Sequence, residues 1–128
     1  MCLFTNEIKP RICEGAPIPC WKVVKKIGAF DDCWVSYYNN YIYGIGLHEG
    51  GLVIDCSLSG NNVNVGFHSY KSLDSAILFD LFCKKRGVKT CVLKCEIPIG
   101  AEYVLGFDID STLNYASSCI RVIGEEKL

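Results

Sequence analysis

No stretch of the sequence approaches the roughly 18 apolar residues in a row that a membrane-spanning helix needs, so no membrane partner is expected. Neither charge sign is in excess: 13 basic residues stand against 14 acidic ones, a net of −1. Duplex nucleic acid calls for clustered positive charge, so it is not expected as a partner either. The local group Lys84, Lys85, Arg86 and Lys89 reads as cations at a helix C-terminus, matched to its dipole. Histidine occurs only twice and no CxxC pair occurs, which removes the usual spacing of structural zinc. Cys91 and Cys95 share a strand face but lie roughly 13 Å apart, too far to hold one ion. His48 and Asp55 meet only through folding that the sequence does not display. No metal and no cofactor is expected.

Cysteine, by contrast, is abundant. The nine thiols are odd in number and scattered, so they do not read as a disulfide framework. The opening Met1-Cys2-Leu3-Phe4-Thr5 meets Asn6 and Glu7 before any apolar run develops, so no secretory signal is expected. Together these features imply a cytoplasmic, reduced protein whose cysteines act mostly as small core hydrophobes. Apolar residues make up 50% of the 128. That composition suits one folded domain over residues 1–128, which buries roughly 65–70% of the surface of its unfolded chain.

Residues 1–19 read as an irregular arm, broken by Pro10, Gly15, Pro17 and Pro19. Strands are expected over 20–26, 41–46, 52–56, 63–67, 91–97 and 119–123, with a partner strand over 101–105. Turns are expected at Asp31-Asp32, Asn39-Asn40, Gly50-Gly51 and Ser59 to Asn62. The spacing predicts one main helix over about residues 72–86. Ser72 caps it, Asp74 suits the positive end of its dipole, and Gly87 follows as the C′ glycine. Its apolar face is expected to be Leu73, Ile77, Leu78, Leu81 and Phe82, with Asp80 in solvent. With roughly five to seven short strands, the expected fold class is α+β: one or two small, mainly antiparallel sheets with this helix packed on a face.

The first candidate site is His68-Ser69-Tyr70, where a strand runs into the helix. Unpaired backbone N–H groups at a helix N-terminus bind phosphate or carboxylate, and a histidine with two hydroxyls suits a ribose or phosphate. The alternative is a capping cluster with an interior histidine. The aromatic group Trp21, Trp34, Tyr37, Tyr38, Tyr41 and Tyr43 can stack a base, or simply fill a core. Removal of Met1 would make Cys2 an N-terminal nucleophile, but Leu3 and Phe4 stand where such enzymes carry glycine and arginine. Asp108, Asp110, Ser111 and Asn114 lack the glycine and the terminal glutamate of an EF-hand and read as a solvated loop.

Three stretches resemble a group of small uncharacterised proteins from gut bacteria and their phages. They are Met1 to Thr5, Gly66 to Tyr70 with Ala76, and Cys95 to Tyr103 with Ala116-Ser117-Ser118. A second resemblance is to the ADP-ribosyltransferase-like fold, through a polar motif leading into a helix and the later turn Ile97-Pro98-Ile99-Gly100. It implies that Lys22 or His68 lies near a nicotinamide-ribose pocket. The late Glu-x-Glu of that family is missing, and Glu125-Glu126 stand adjacent instead. The expected function is therefore a small intracellular binding domain of unknown ligand, with a nucleotide-like one as the candidate and no convincing catalytic motif. The expected ligand-binding residues are His68, Ser69, Tyr70, Lys22, Tyr41 and Tyr43. An ADP-ribosyl-transferring or NAD-cleaving enzyme is the first alternative. A structural protein with a homo-oligomeric or other protein partner is the second.

Overall fold

The structure, a computed structural model, describes residues 3–28, 33–37, 41–57 and 60–128, with the backbone alone for 55–57, 60, 62 and 64. Cys2, Tyr38, Ser59 and the turns expected at Asp31-Asp32 and Asn39-Asn40 lie outside the described residues. The strands are β1 (Leu3–Thr5), β2 (Arg11–Ile12), β3 (Ile18–Lys26), β4 (Cys33–Ser36), β5 (Ile42–Gly44), β6 (Gly46–Glu49) and β7 (Val53–Ser57). They continue with β8 (Gly60–Val65), β9 (Phe67–Tyr70), β10 (Thr90–Ile97), β11 (Glu102–Phe107), β12 (Leu113–Ser117) and β13 (Cys119–Glu125). One helix, α1 (Leu73–Lys85), interrupts them.

The expected α+β class with one or two small sheets is overturned. Among the described residues all thirteen strands join one antiparallel sheet, ordered β6-β13-β10-β3-β9-β12-β11-β1-β8-β7 along its main path, so the fold is β-rich, with a single short helix in those residues. Strand β2 adds to β11, and β4 with β5 branches from β3. Strands β4 and β12 were not expected at all, and two further causes raised the strand number. Glycines with positive φ break expected runs and let the chain re-pair: Gly46 (φ +112°) opens β6 just after the bend that ends β5, and Gly66 (φ +148°) separates β8 from β9. The stretch expected as an irregular arm also supplies β1, β2 and the start of β3.

Burial follows the two faces of this sheet. On one face Cys20, Val24, Trp34, Tyr43, Phe67, Leu93, Cys95, Ile97 and Ile120 form the largest core. On the other, Val23, Tyr70 and Val92 pack under Ala76 of α1. A smaller core of Leu3, Val63, Val104 and Ala116 lies around β1. Val92, on the face of β10 opposite Cys91 and Cys95, is 1% exposed because α1 covers it. That is why Cys91-Val92-Leu93 is apolar without interruption.

The helix begins as its residues dictate. The Ser72 hydroxyl accepts the N–H of Ser75 at 3.1 Å, and Gly87 turns the chain at φ +82°. Its buried face is not the expected one. Ala76, Asp80 and Cys83, at i, i+4 and i+7, face inward, while Leu78 (69%), Leu81 (50%) and Phe82 (49%) are exposed. Small residues at 76 and 83 let the helix lie close on β3 and β10. Asp80 is accommodated by Thr90, whose hydroxyl donates to Oδ1 at 2.7 Å.

Candidate functional site

Strand β3 pairs with β10 along its length, from Ile18↔Ile97 to Lys25↔Thr90. Its other side is shared. Trp21 pairs with Tyr70 of β9, while Val24, Lys25 and Lys26 pair with Ser36, Val35 and Trp34 of β4. Lys22 and Val23 fall between these two ladders, so the sheet forks there, with β9 on one prong and the β4–β5 hairpin on the other.

Lys22 occupies this fork on the face of the main core. It is 8% exposed, its ammonium donates to the His68 carbonyl, and it lies 5.0 Å from the centre of the Tyr43 ring. No ion pair among the described residues involves it. A buried ammonium without a carboxylate costs several kcal/mol, order of magnitude. A carbonyl and a ring face offset only part of that.

Aromatic rings close round the same place. Tyr41 is 4.8 Å from Tyr43 and 5.7 Å from Phe67, centre to centre. His48, on the edge strand β6, lies 5.2 Å from Tyr43 and 5.6 Å from Tyr41. Its Nε2 faces the Gly44 carbonyl at 2.9 Å, so in the neutral ring Nε2 carries the proton. Nδ1 then accepts the Tyr41 hydroxyl at 3.0 Å. Tyr43 and Phe67 are buried, while Tyr41 is 41% exposed and forms the open side of the cluster.

The structure brings Lys22, Tyr41 and Tyr43 together and separates the other three expected residues. His68-Ser69-Tyr70 is strand β9 itself, not the helix N-terminus, because Ser72 provides the cap. Alternation along β9 sends Phe67 and Ser69 to the main core and His68 and Tyr70 to the helix side. Ser69 therefore lies beside the Cys20 thiol, and Tyr70 packs 6.2 Å from Phe79. His68 reaches the fork through its carbonyl alone. His48 and Phe67 were not among the expected site residues. Phe67 sits inside the Gly66-to-Tyr70 block, but the position of His48 depends on pairing β6 with β13, which the local sequence does not signal.

Burial pushes the His68 pKa down to about 4, with the nearby Lys22 charge adding to the effect. The ring is neutral at neutral pH, and its Nδ1, like Trp21 Nε1 on the same face, is buried without a hydrogen-bond partner. Between pH 6.5 and 4 the unfolded chain binds a proton that the folded chain refuses, so stability falls on acidification through that window. The expected loss is about 2 kcal/mol, allowing for the ring's partly exposed rim. Urea unfolding at pH 7 and pH 4.5 checks this: His68→Gln should flatten the difference, and an unchanged difference would remove His68 as its source.

The buried thiols Cys20, Cys91 and Cys95 offer no nucleophile. Burial pushes Cys20 up to about 11 and Cys91 up to about 12, and raises Cys95 as well. Such groups stay protonated and inert. Among the described residues no group of three histidine, cysteine, aspartate or glutamate side chains could hold a metal ion. No helix among them is long and apolar enough to cross a membrane. Comparison of the chain with family models, with curated proteins and with solved structures gives no match.

Proposed function

We propose that this chain is a non-catalytic binding domain for a small nucleotide-like anion, held at the fork of the sheet. The observation that carries the reading is Lys22, a buried cation without a carboxylate, set among aromatic rings. An anionic ligand group supplies the missing counter-charge, and a flat ring packs against the exposed part of Tyr41. The protonated Cys20 thiol beside Ser69 and the neutral, inward-facing His68 favour binding over chemistry at this place. The seven cysteines whose side chains are described are free, which supports a reducing, cytoplasmic setting.

Purified protein incubated with a nucleotide pool containing NAD, followed by mass spectrometry of the bound and free fractions, tests the reading. An intact nucleotide should be retained. Lys22→Met should weaken its binding at least about tenfold and leave the fold equally or more stable, because an apolar chain replaces a buried charge. A pool returned unbound and unchanged would overturn the proposal. Cleaved NAD would replace it with an NAD-cleaving enzyme.

A further inference from the structure

We infer a second site on the opposite face of the sheet, in the groove between α1 and the loop 108–112, that takes a small organic cation: a protonated amine on an aromatic or alkyl body. The groove encloses about 360 Å³, within the usual size of small-molecule sites. One wall is apolar. It comprises Leu78 and the stacked rings of Phe79 and Phe82, whose centres are 6.1 Å apart. The other wall carries Asp108 and Asp110.

Asp108 is 6% exposed, and every hydrogen bond to its carboxylate comes from a neutral donor. Oδ1 accepts the N–H groups of Asp110 (3.0 Å) and Thr112 (2.9 Å), and Oδ2 accepts Asn114 Nδ2 (3.2 Å). No ion pair among the described residues involves Asp108 or Asp110. Arg86 is engaged over the Phe82 ring, 5.4 Å from its centre. A buried carboxylate without a cation beside exposed aromatic surface is complementary to an amine with an apolar body.

Asn114 adds an independent observation. It is 1% exposed, and it stands behind the groove, paired across the strands with Tyr70, which lines it. Its Nδ2 is spent on Asp108 and on the Thr112 carbonyl. Its Oδ1 is buried and has no partner. An orphaned acceptor costs free energy, so the polar side of the groove around Asp108 is short of a donor.

The test is titration of the full chain, ¹⁵N-labelled, with phenethylammonium, with 2-phenylethanol as the neutral analogue and 3-phenylpropionate as the anionic one. The amine should shift the amides of residues 75–82 and 108–112 saturably. It should bind about fivefold more tightly than the alcohol, and the carboxylate should bind weakest. Asp110 is exposed and only its main chain joins the loop network, so Asp110→Asn should keep the fold and reduce the amine's advantage. Equal binding of amine and alcohol to the unaltered chain, or no shift of these amides, would overturn the inference. So would an amine preference that survives both Asp110→Asn and Asp108→Asn.

Discussion

Replacing Asp80 with alanine is expected to destabilise the fold by about 3 kcal/mol, although the residue is charged and sits on a helix. Asp80 is 1% exposed. Its Oδ1 accepts the Thr90 hydroxyl at 2.7 Å, and its Oδ2 takes the Lys84 ammonium at 2.8 Å. Thr90 is itself 1% exposed, so the alanine variant leaves a buried hydroxyl without its short acceptor. Lys84 loses little, because its side chain is 49% exposed and water replaces the partner. Asp80→Asn separates the two contributions: it keeps an acceptor for Thr90, loses the charge, and should cost only about 1 kcal/mol. Urea denaturation of the three proteins, with Thr90→Val to close a double-mutant cycle, measures this. Equal costs for alanine and asparagine would show that the charge, not the hydrogen bond, holds the helix to β10.

Asp80 also marks how far the sequence could be read. The limits of α1 were legible because capping is local: Ser72, Asp74 and Gly87 act on backbone within a few residues. The buried face was not. The larger apolar residues Leu78, Leu81 and Phe82 outweigh Ala76 and Cys83 in any periodicity. Burial of Asp80 depends on Thr90, ten residues away on another element. The same limit applied to the sheet. Strand β10 was visible as a run of apolar residues, whereas β12 was hidden. Asn114, expected in a solvated loop, is a buried strand residue held by Asp108.

At the candidate site the legible part was chemical and the illegible part geometric. Lys22 entered through the resemblance to the ADP-ribosyltransferase-like fold, and Tyr41 and Tyr43 through the aromatic group; in the structure the ammonium lies over the Tyr43 ring and the two tyrosine rings are in contact. The block His68-Ser69-Tyr70 looked like a unit because its residues are adjacent. A strand has period 2, so adjacent residues point to opposite faces, and the block contributes a carbonyl to the fork rather than an imidazole. The fork itself arises because β4 and β9, far apart in sequence, compete for one side of β3. Lys22 sits where neither strand pairs. Polar groups left at such a gap must be met by side chains or ligands.

Gly106→Ala is expected to cost at least about 3 kcal/mol and to detach one end of the sheet selectively. Gly106 lies on β11 where β1 crosses it, Phe4 being opposite Phe107. A Cβ there would collide with the Phe4 carbonyl oxygen, and would stand 2.9 Å from Leu3 Cγ and 3.0 Å from the Phe4 carbonyl carbon. The Phe4 atoms are backbone and cannot rotate away, so the whole of β1 must move. Side chains continue this junction: the Thr5 hydroxyl donates to the Leu105 carbonyl at 2.8 Å, and Glu7 Oε2 accepts the Leu105 N–H at 3.1 Å. Strand β1 is the link between β11 and the β8–β7 pair, and it also carries Leu3, fully buried in the small core. Displacing it should expose the amides of β1, β8 and β7 to hydrogen exchange while those of β3, β10 and β13 stay protected. Gly51→Ala is the control, since its added Cβ meets only Val65 Cγ1 at 3.8 Å, an ordinary contact. It should change stability by less than about 0.5 kcal/mol. Uniform loss of protection across all thirteen strands would mean that the sheet unfolds as one cooperative unit and that β1 is no weaker a seam than the rest.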